Sequence, residues 1–217
     1  MSNVVTTIMV ANPKGGCGKS TVSIHLASWF AQQDELVCLG DLDRQQSAMQ
    51  WLASRPVALP HIRRWKLGDE LPPAPPPSDC RLAVLDTPAG LHGKPLKQLL
   101  SVADYVVVPV TPSAFDMRAS QAFFEELAEI KAVRKEKVRI GTVGMRLDPR
   151  TRSAQQLVEF LGEYDLPLLA CVRDAQRYVQ VLQAGMSLFD LPSSVVRLDR
   201  EQWRPLLDWL VSARSRS

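Results

Sequence analysis

Cysteine is scarce in this chain and scattered where it occurs. Cys17, Cys38, Cys80 and Cys171 contain no C-x-x-C pair, and only three histidines accompany them. Neither a disulfide framework nor a zinc site is expected, and the thiols read as small apolar residues. Long hydrophobic runs are missing too: nothing approaches the roughly 20 apolar residues of a membrane span. The first residues carry no secretory pattern, so a cytoplasmic protein is expected. Lysine is absent after Lys137, where every basic residue is arginine.

What remains suits a globular α/β protein. The 217 residues are 46% apolar, enough for one well-filled core, and residues 1–217 read as a single domain. A net charge of +3 says little, but its distribution says more. The arginines cluster as Arg146/Arg150/Arg152, Arg173/Arg177, Arg197/Arg200/Arg204 and Arg214/Arg216. With acids interspersed they read as a solvated surface, and an anion-binding face is the alternative.

Short apolar runs recur along the chain at Val4–Ala11, Leu36–Leu42, Arg81–Leu85, Tyr105–Val110, Val138–Met145 and Leu168–Val172. Helical patterns lie between and around them at Thr21–Gln33, Ser47–Ser54, Lys94–Val102, Ala114–Lys135, Ser153–Glu163 and Ala175–Ala184. Runs apolar on both faces and separated by helices predict a mostly parallel twisted sheet with helices on both sides. Ser113, with Asp116 three residues on, predicts the N-cap of the longest helix. Leu71–Ser78 holds five prolines in eight residues and reads as a surface connection. Pro205 predicts a short final helix that starts near it.

The chemistry concentrates in Asn12-Pro13-Lys14-Gly15-Gly16-Cys17-Gly18-Lys19-Ser20-Thr21, placed between the first strand and the first helix. Glycines there let backbone N–H groups converge on phosphate oxygens, and the helix N-terminus adds its positive dipole end. Lys19 would reach the β- and γ-phosphates, and Ser20 would ligate Mg²⁺. The ordinary G-x-x-x-x-G-K-[ST] pattern is not met, because Pro13 stands in place of its first glycine. A second lysine, Lys14, precedes the Gly-Gly pair instead. Asp86 ends an apolar strand at the edge where open α/β sheets bind ligands, and could hold Mg²⁺ through its water shell. Asp41-Leu42-Asp43 ends another strand. One of its two carboxylates could support the metal while the other orients the attacking water.

K-G-G-x-G-K-S-T, then D-x-D, then a strand ending D-T-P-A-G resembles the ParA/MinD group of deviant Walker-A P-loop ATPases over nearly the whole chain. The stretches Asn12–Lys14 and Val108–Ser113, with the compact length, look closest to small plasmid-partition ATPases of the ParF kind. The resemblance implies an ATP-dependent homodimer that sandwiches two ATP molecules, with Lys14 crossing to the partner's phosphates. It implies that Asp43 positions the hydrolytic water, that Asp41 supports the magnesium and that Asp86 is the Walker-B acid. Lys14, Gly15, Gly16, Cys17, Gly18, Lys19, Ser20 and Thr21 would hold the nucleotide, with Arg146 near adenine. Asp41-Leu42-Asp43-Arg44-Gln45 lacks the proline that often follows D-x-D in this family. The chain opens on its first strand, so no operator-reading helix-turn-helix is expected.

The function so implied is segregation or positioning. An ATP dimer binds nucleoid DNA non-specifically, and an adaptor (ParB-like or equivalent) releases it by stimulating a slow hydrolysis. Cargo would be a plasmid, a chromosome region or a protein assembly, and Arg173 and Arg177 are the first candidates for DNA contact. The alternative is a MinD-like membrane switch, suggested by an apolar stripe of Trp203, Leu206, Leu207, Leu210 and Val211 flanked by Arg200, Arg204, Arg214 and Arg216. A docked final helix explains that stripe equally. A reductase related to the nitrogenase iron protein, or a ligase, is a third reading, and clustered cysteines for an iron–sulfur site are missing.

Overall fold

The computed structural model describes residues 5–130, 135, 137–148 and 150–214. Among these, seven strands form one parallel sheet: β1 (Thr6–Val10), β2 (Val37–Asp41), β3 (Arg63–Arg64), β4 (Leu82–Asp86), β5 (Tyr105–Val110), β6 (Arg139–Met145) and β7 (Leu168–Val172). Their spatial order is β3-β2-β4-β1-β5-β6-β7. The helices are α1 (Lys19–Ala31), α2 (Ser47–Ser54), α3 (Gly93–Leu100), α4 (Ala114–Glu129), α5 (Arg152–Gly162), α6 (Gln176–Gln183) and α7 (Ser193–Arg214), with a short 3-10 helix at Leu188–Asp190.

Successive strand residues point to opposite faces, so a strand covered on both sides must be apolar throughout. In β1, Ile8 and Val10 join a core with Phe30, Trp51, Trp203 and Leu206. Met9, between them, joins a second core with Leu96, Leu99, Phe124 and Leu157. Helices α1, α2, α6 and α7 therefore cover one face and α3, α4 and α5 the other. β1 lies between β4 and β5, and the chain changes its direction of winding there. That opens a crevice beyond the carboxyl ends of these strands, where the glycine-rich loop begins.

Every expected strand is present, with ends shifted by one or two residues, and Ser113 caps α4 by accepting the Asp116 N–H. α4 ends at Glu129 because Ile130 turns to extended geometry (φ −71°, ψ 125°). The rest of its expected span falls largely outside the described residues. Two expectations need correction. β3 was not expected, and its two exposed arginines pair with Cys38 and Leu39 of β2 at the sheet edge. The last helix does not start near Pro205 but runs from Ser193, with a non-helical break at Val196 and Pro205 inside it. Glu201, Arg204 and Pro205 are all exposed, so the carbonyl that loses its partner to the proline faces water.

Candidate nucleotide site

The loop between β1 and α1 is shaped from beneath by Asn12. Its side chain is buried and donates to the Pro109 carbonyl (2.8 Å) and Ser120 Oγ (3.3 Å), while its Oδ1 accepts the Lys14 N–H at 2.8 Å. Gly18 has φ +98°, a backbone conformation that favours glycine because a β-carbon would be strained there. From Gly18, α1 begins without a side-chain cap, leaving its first N–H groups for an anion.

Lys19 is 7% exposed, and its Nζ donates to the Lys14 carbonyl at 2.9 Å. Lys14 differs: its side chain is 44% exposed, and its Nζ lies 3.4 Å from Asp116 on α4. Asp116 also accepts a short hydrogen bond from the Thr111 hydroxyl. Burial works to raise the Asp116 carboxyl, and the bonds from Thr111, Ser113 and Lys14 outweigh it, leaving it below the usual carboxylate range.

Asp86 is fully buried at the end of β4. Ser23 Oγ donates to its Oδ1 at 3.2 Å, while Oδ2 has no hydrogen-bond partner. Burial pushes this carboxyl up to about 7, and the charge of Asp41 adds to the effect. A buried carboxylate oxygen with no donor, beside the Ser20 hydroxyl, is the environment that a hard divalent cation satisfies. The residues fit Mg²⁺, which Ser20 and Asp86 would hold.

Asp41, the register neighbour of Asp86, has a further task. Its Oδ1 accepts the Asp43 N–H (2.9 Å), and its Oδ2 accepts those of Ala48 (2.9 Å) and Met49 (3.4 Å). It thus caps α2 from seven residues upstream and fixes the turn that carries Asp43. Burial raises its carboxyl while these N–H groups pull it down. Asp43 is half-buried and accepts the Gln45 N–H at 2.9 Å.

Beside the loop lies a cavity of about 120 Å³ whose lining includes Cys17, Gly18, Thr21, Arg146, Arg173 and Tyr178. Arg146 reaches it from a left-handed turn after β6 (φ +54°). A larger cavity of about 500 Å³ lies by Trp29, Phe30, Glu35 and Arg214, but no residue of the glycine-rich loop lines it. Arg173 borders the nucleotide-side cavity and Arg177 does not. Both are committed to the buried Asp199, at 2.7 Å and 3.5 Å. The loop, Asp41, Asp43, Asp86 and Arg146 thus share one edge of the sheet, whereas Arg173 and Arg177 act as braces to α7.

Sequence reasoning gave no role to Asn12, Ser23, Thr87 or Tyr178. Thr87 donates to the Val10 carbonyl at 2.9 Å, and the Gly90 N–H donates to the Pro13 carbonyl at 2.8 Å. These bonds tie D-T-P-A-G to the glycine-rich loop. Asn12 and Thr87 lay inside motifs already in view, but their partners are about a hundred and about eighty residues away.

Comparison with known proteins meets this geometry. The model for the CobQ/CobB/MinD/ParA nucleotide binding domain matches residues 8–188. The chain belongs to that family. Within it, the chain is 30% identical over 200 residues to the maintenance of carboxysome distribution protein A of Halothiobacillus neapolitanus, covering 88% of this chain and 89% of that one. It is 30% identical over 185 residues to the chromosome-partitioning ATPase Soj of Thermus thermophilus, covering 70% and 74%. Among solved structures, apo McdA of Cyanothece has a TM-score of 0.72 at 14% identity, covering 94% of this chain and all of that one. A plasmid partition protein of Borrelia burgdorferi bound to AMPPNP has a TM-score of 0.68 at 18% identity, covering 94% and 99%. These two show the shared ParA/MinD fold.

Proposed function

We propose that this chain is a positioning ATPase that dimerises on ATP, holds DNA without sequence preference, and lets go when an adaptor stimulates hydrolysis. The observation that carries the reading is the division of labour between the two loop lysines. Lys19 is enclosed in the loop, where in-site phosphates would lie. Lys14 is half-exposed and turned to Asp116, a surplus cation for one site and a usable one for a neighbour's. Ser20 and Asp86 would hold Mg²⁺, which when bound offsets charge on the β- and γ-phosphates. Asp41 would support the metal site and fix the turn that lets Asp43 orient water.

Relatives named for carboxysome distribution and for chromosome partitioning support a cargo-moving role, with a protein assembly, a chromosome region or a plasmid as cargo. DNA contact through Arg173 and Arg177 would have to compete with Asp199, so it is expected to be weak per monomer and to gain from dimerisation. The membrane alternative loses its main support. Of the apolar stripe that suggested it, Trp203, Leu206, Leu207 and Leu210 are buried in the core and Val211 is exposed.

Co-sedimentation with DNA and with anionic liposomes, each with ATP and with ADP, tests the reading. Pelleting with DNA in ATP alone is expected. Equal pelleting in ADP, or pelleting only with liposomes, would overturn it.

A further inference from the structure

We propose that Asp190, acting through Arg55, is a positioning residue that fixes α2 against α1 and so sets where the Asp43 turn stands relative to the glycine-rich loop. This rests on the reading above, in which Asp43 orients water. Both helices start at the site: α1 leaves the glycine-rich loop at Lys19, and α2 follows the Asp43 turn at Ser47. Their far ends meet at one carboxylate. Asp190, on the 3-10 helix, is fully buried. It accepts from Gln32 Nε2 at the end of α1 (2.8 Å) and from both Nη groups of Arg55 at the end of α2 (2.9 Å each). The Ser187 N–H and hydroxyl also donate to it, at 2.7 and 2.9 Å. Burial works to raise this carboxyl, and the bonds from Arg55, Gln32 and Ser187 outweigh it, leaving it below the usual carboxylate range.

Arg55 is held as firmly as its partner. Its side chain is 5% exposed, its Nε donates to the Pro60 carbonyl at 3.1 Å, and its guanidinium lies over the Trp51 ring, 5.2 Å from the centroid. Trp51, in α2, donates to the Met186 carbonyl at 3.1 Å. A β-carbon at Gly185 would stand 2.3 Å from the Ser54 carbonyl oxygen, so the last turn of α2 sits directly on this loop. A buried ion pair adds little stability over apolar residues of similar volume. What this one adds is a single arrangement, because a two-point fork fixes angle as well as distance. With eight residues, α2 moves as a rigid unit. Asp41 holds its near end and Asp190 its far end, and release of the far end lets the helix tilt and carry the Asp43 turn with it.

Three readouts on the full chain test it: turnover of ATP with Mg²⁺, ATP affinity by calorimetry, and amide hydrogen exchange by mass spectrometry. In Arg55→Met, which keeps an apolar stem over Trp51, turnover should fall about ten-fold, since a misplacement of about 1 Å costs up to about 100-fold. ATP affinity should stay within about two-fold, because no phosphate contact is touched. Exchange should quicken over residues 41–49, where the N–H groups of Asp43, Gln45, Ala48 and Met49 are bonded within the turn, and should not change in α1. Arg55→Lys keeps the charge and loses the fork, so it should shift turnover and exchange the same way, with turnover down about three-fold. It decides the matter if Arg55→Met folds poorly. Unchanged exchange over residues 41–49 would overturn the proposal, as would unchanged turnover or a loss of ATP affinity that matches the loss of turnover. All three results leave the role of Asp43 intact. Turnover of Asp43→Ala at the unmodified rate would overturn that role and this proposal with it.

Discussion

The two lysines of the glycine-rich loop and the arginines of the C-terminal half carry the same charge in very different circumstances. Lys19 forms no ion pair among the described residues and donates to a backbone carbonyl, and Lys14 has one loose carboxylate contact. Six of the arginines are matched instead: Arg150 with Asp148, Arg173 and Arg177 with Asp199, Arg197 with Glu201, Arg204 with Asp208, and Arg214 with Glu35. Arg200 donates to the carbonyls of Phe189 and Leu191. A count of cations in a sequence therefore says little about charge available to a ligand. Availability depends on which carboxylates the fold brings alongside.

The sharpest way to break this comparison is at the unmatched lysine. Lys19→Ala should weaken ATP binding on the order of 100-fold, the equivalent of about two charge-assisted hydrogen bonds. Calorimetry showing unchanged affinity would remove the loop from the nucleotide site altogether.

His25 joins the two regions. It lies on α1, stacks on Trp203 of α7 with ring centroids 5.1 Å apart, and its Nδ1 is 2.7 Å from the Thr21 carbonyl. Burial lowers its pKa from 6.5 to about 4. Between these values the unfolded chain binds a proton that the native ring refuses, so stability falls as pH falls through that window. The slope approaches about 1.4 kcal/mol per pH unit, or about 3 kcal/mol across it. Urea melts from pH 7 to pH 4 should show this loss, and His25→Gln should flatten it.

Asp199→Asn probes the matched half. Two guanidiniums lose a buried negative charge and one of its two acceptor oxygens, at a cost of about 2 kcal/mol. Freed from Asp199, Arg173 and Arg177 should bind DNA more tightly at low salt in gel shifts. Loss of stability with unchanged DNA binding would leave them as braces alone. The smallest effect belongs to Arg204→Ala, whose exposed i,i+4 pair with Asp208 is worth less than about 0.5 kcal/mol and should leave the denaturation midpoint almost unmoved.

How much of this was legible beforehand follows the distance over which each feature is determined. The strands were readable because burial on both faces demands unbroken apolar runs, as in Leu82–Leu85. That Lys19, Ser20 and Asp86 meet at one edge of the sheet was readable because each sits at the carboxyl end of an apolar strand or in the loop that follows one. β3 was hidden because Arg63 and Arg64 pair through backbone alone, at an edge where side chains stay in water. The start of α7 was hidden because Pro205 looks like a boundary unless its freed carbonyl is known to be solvated. The pairing of Arg173 and Arg177 was hidden because Asp199 lies more than twenty residues away and meets them only when α7 docks beside β7.

The central claim is that Lys14 works across a dimer, and light scattering of Lys14→Ala with ATP and Mg²⁺ tests it most directly. The account predicts a variant that binds ATP as a monomer, fails to double its mass and does not hydrolyse. A Lys14→Ala protein that doubles its mass with ATP and turns it over at the unmodified rate would contradict it.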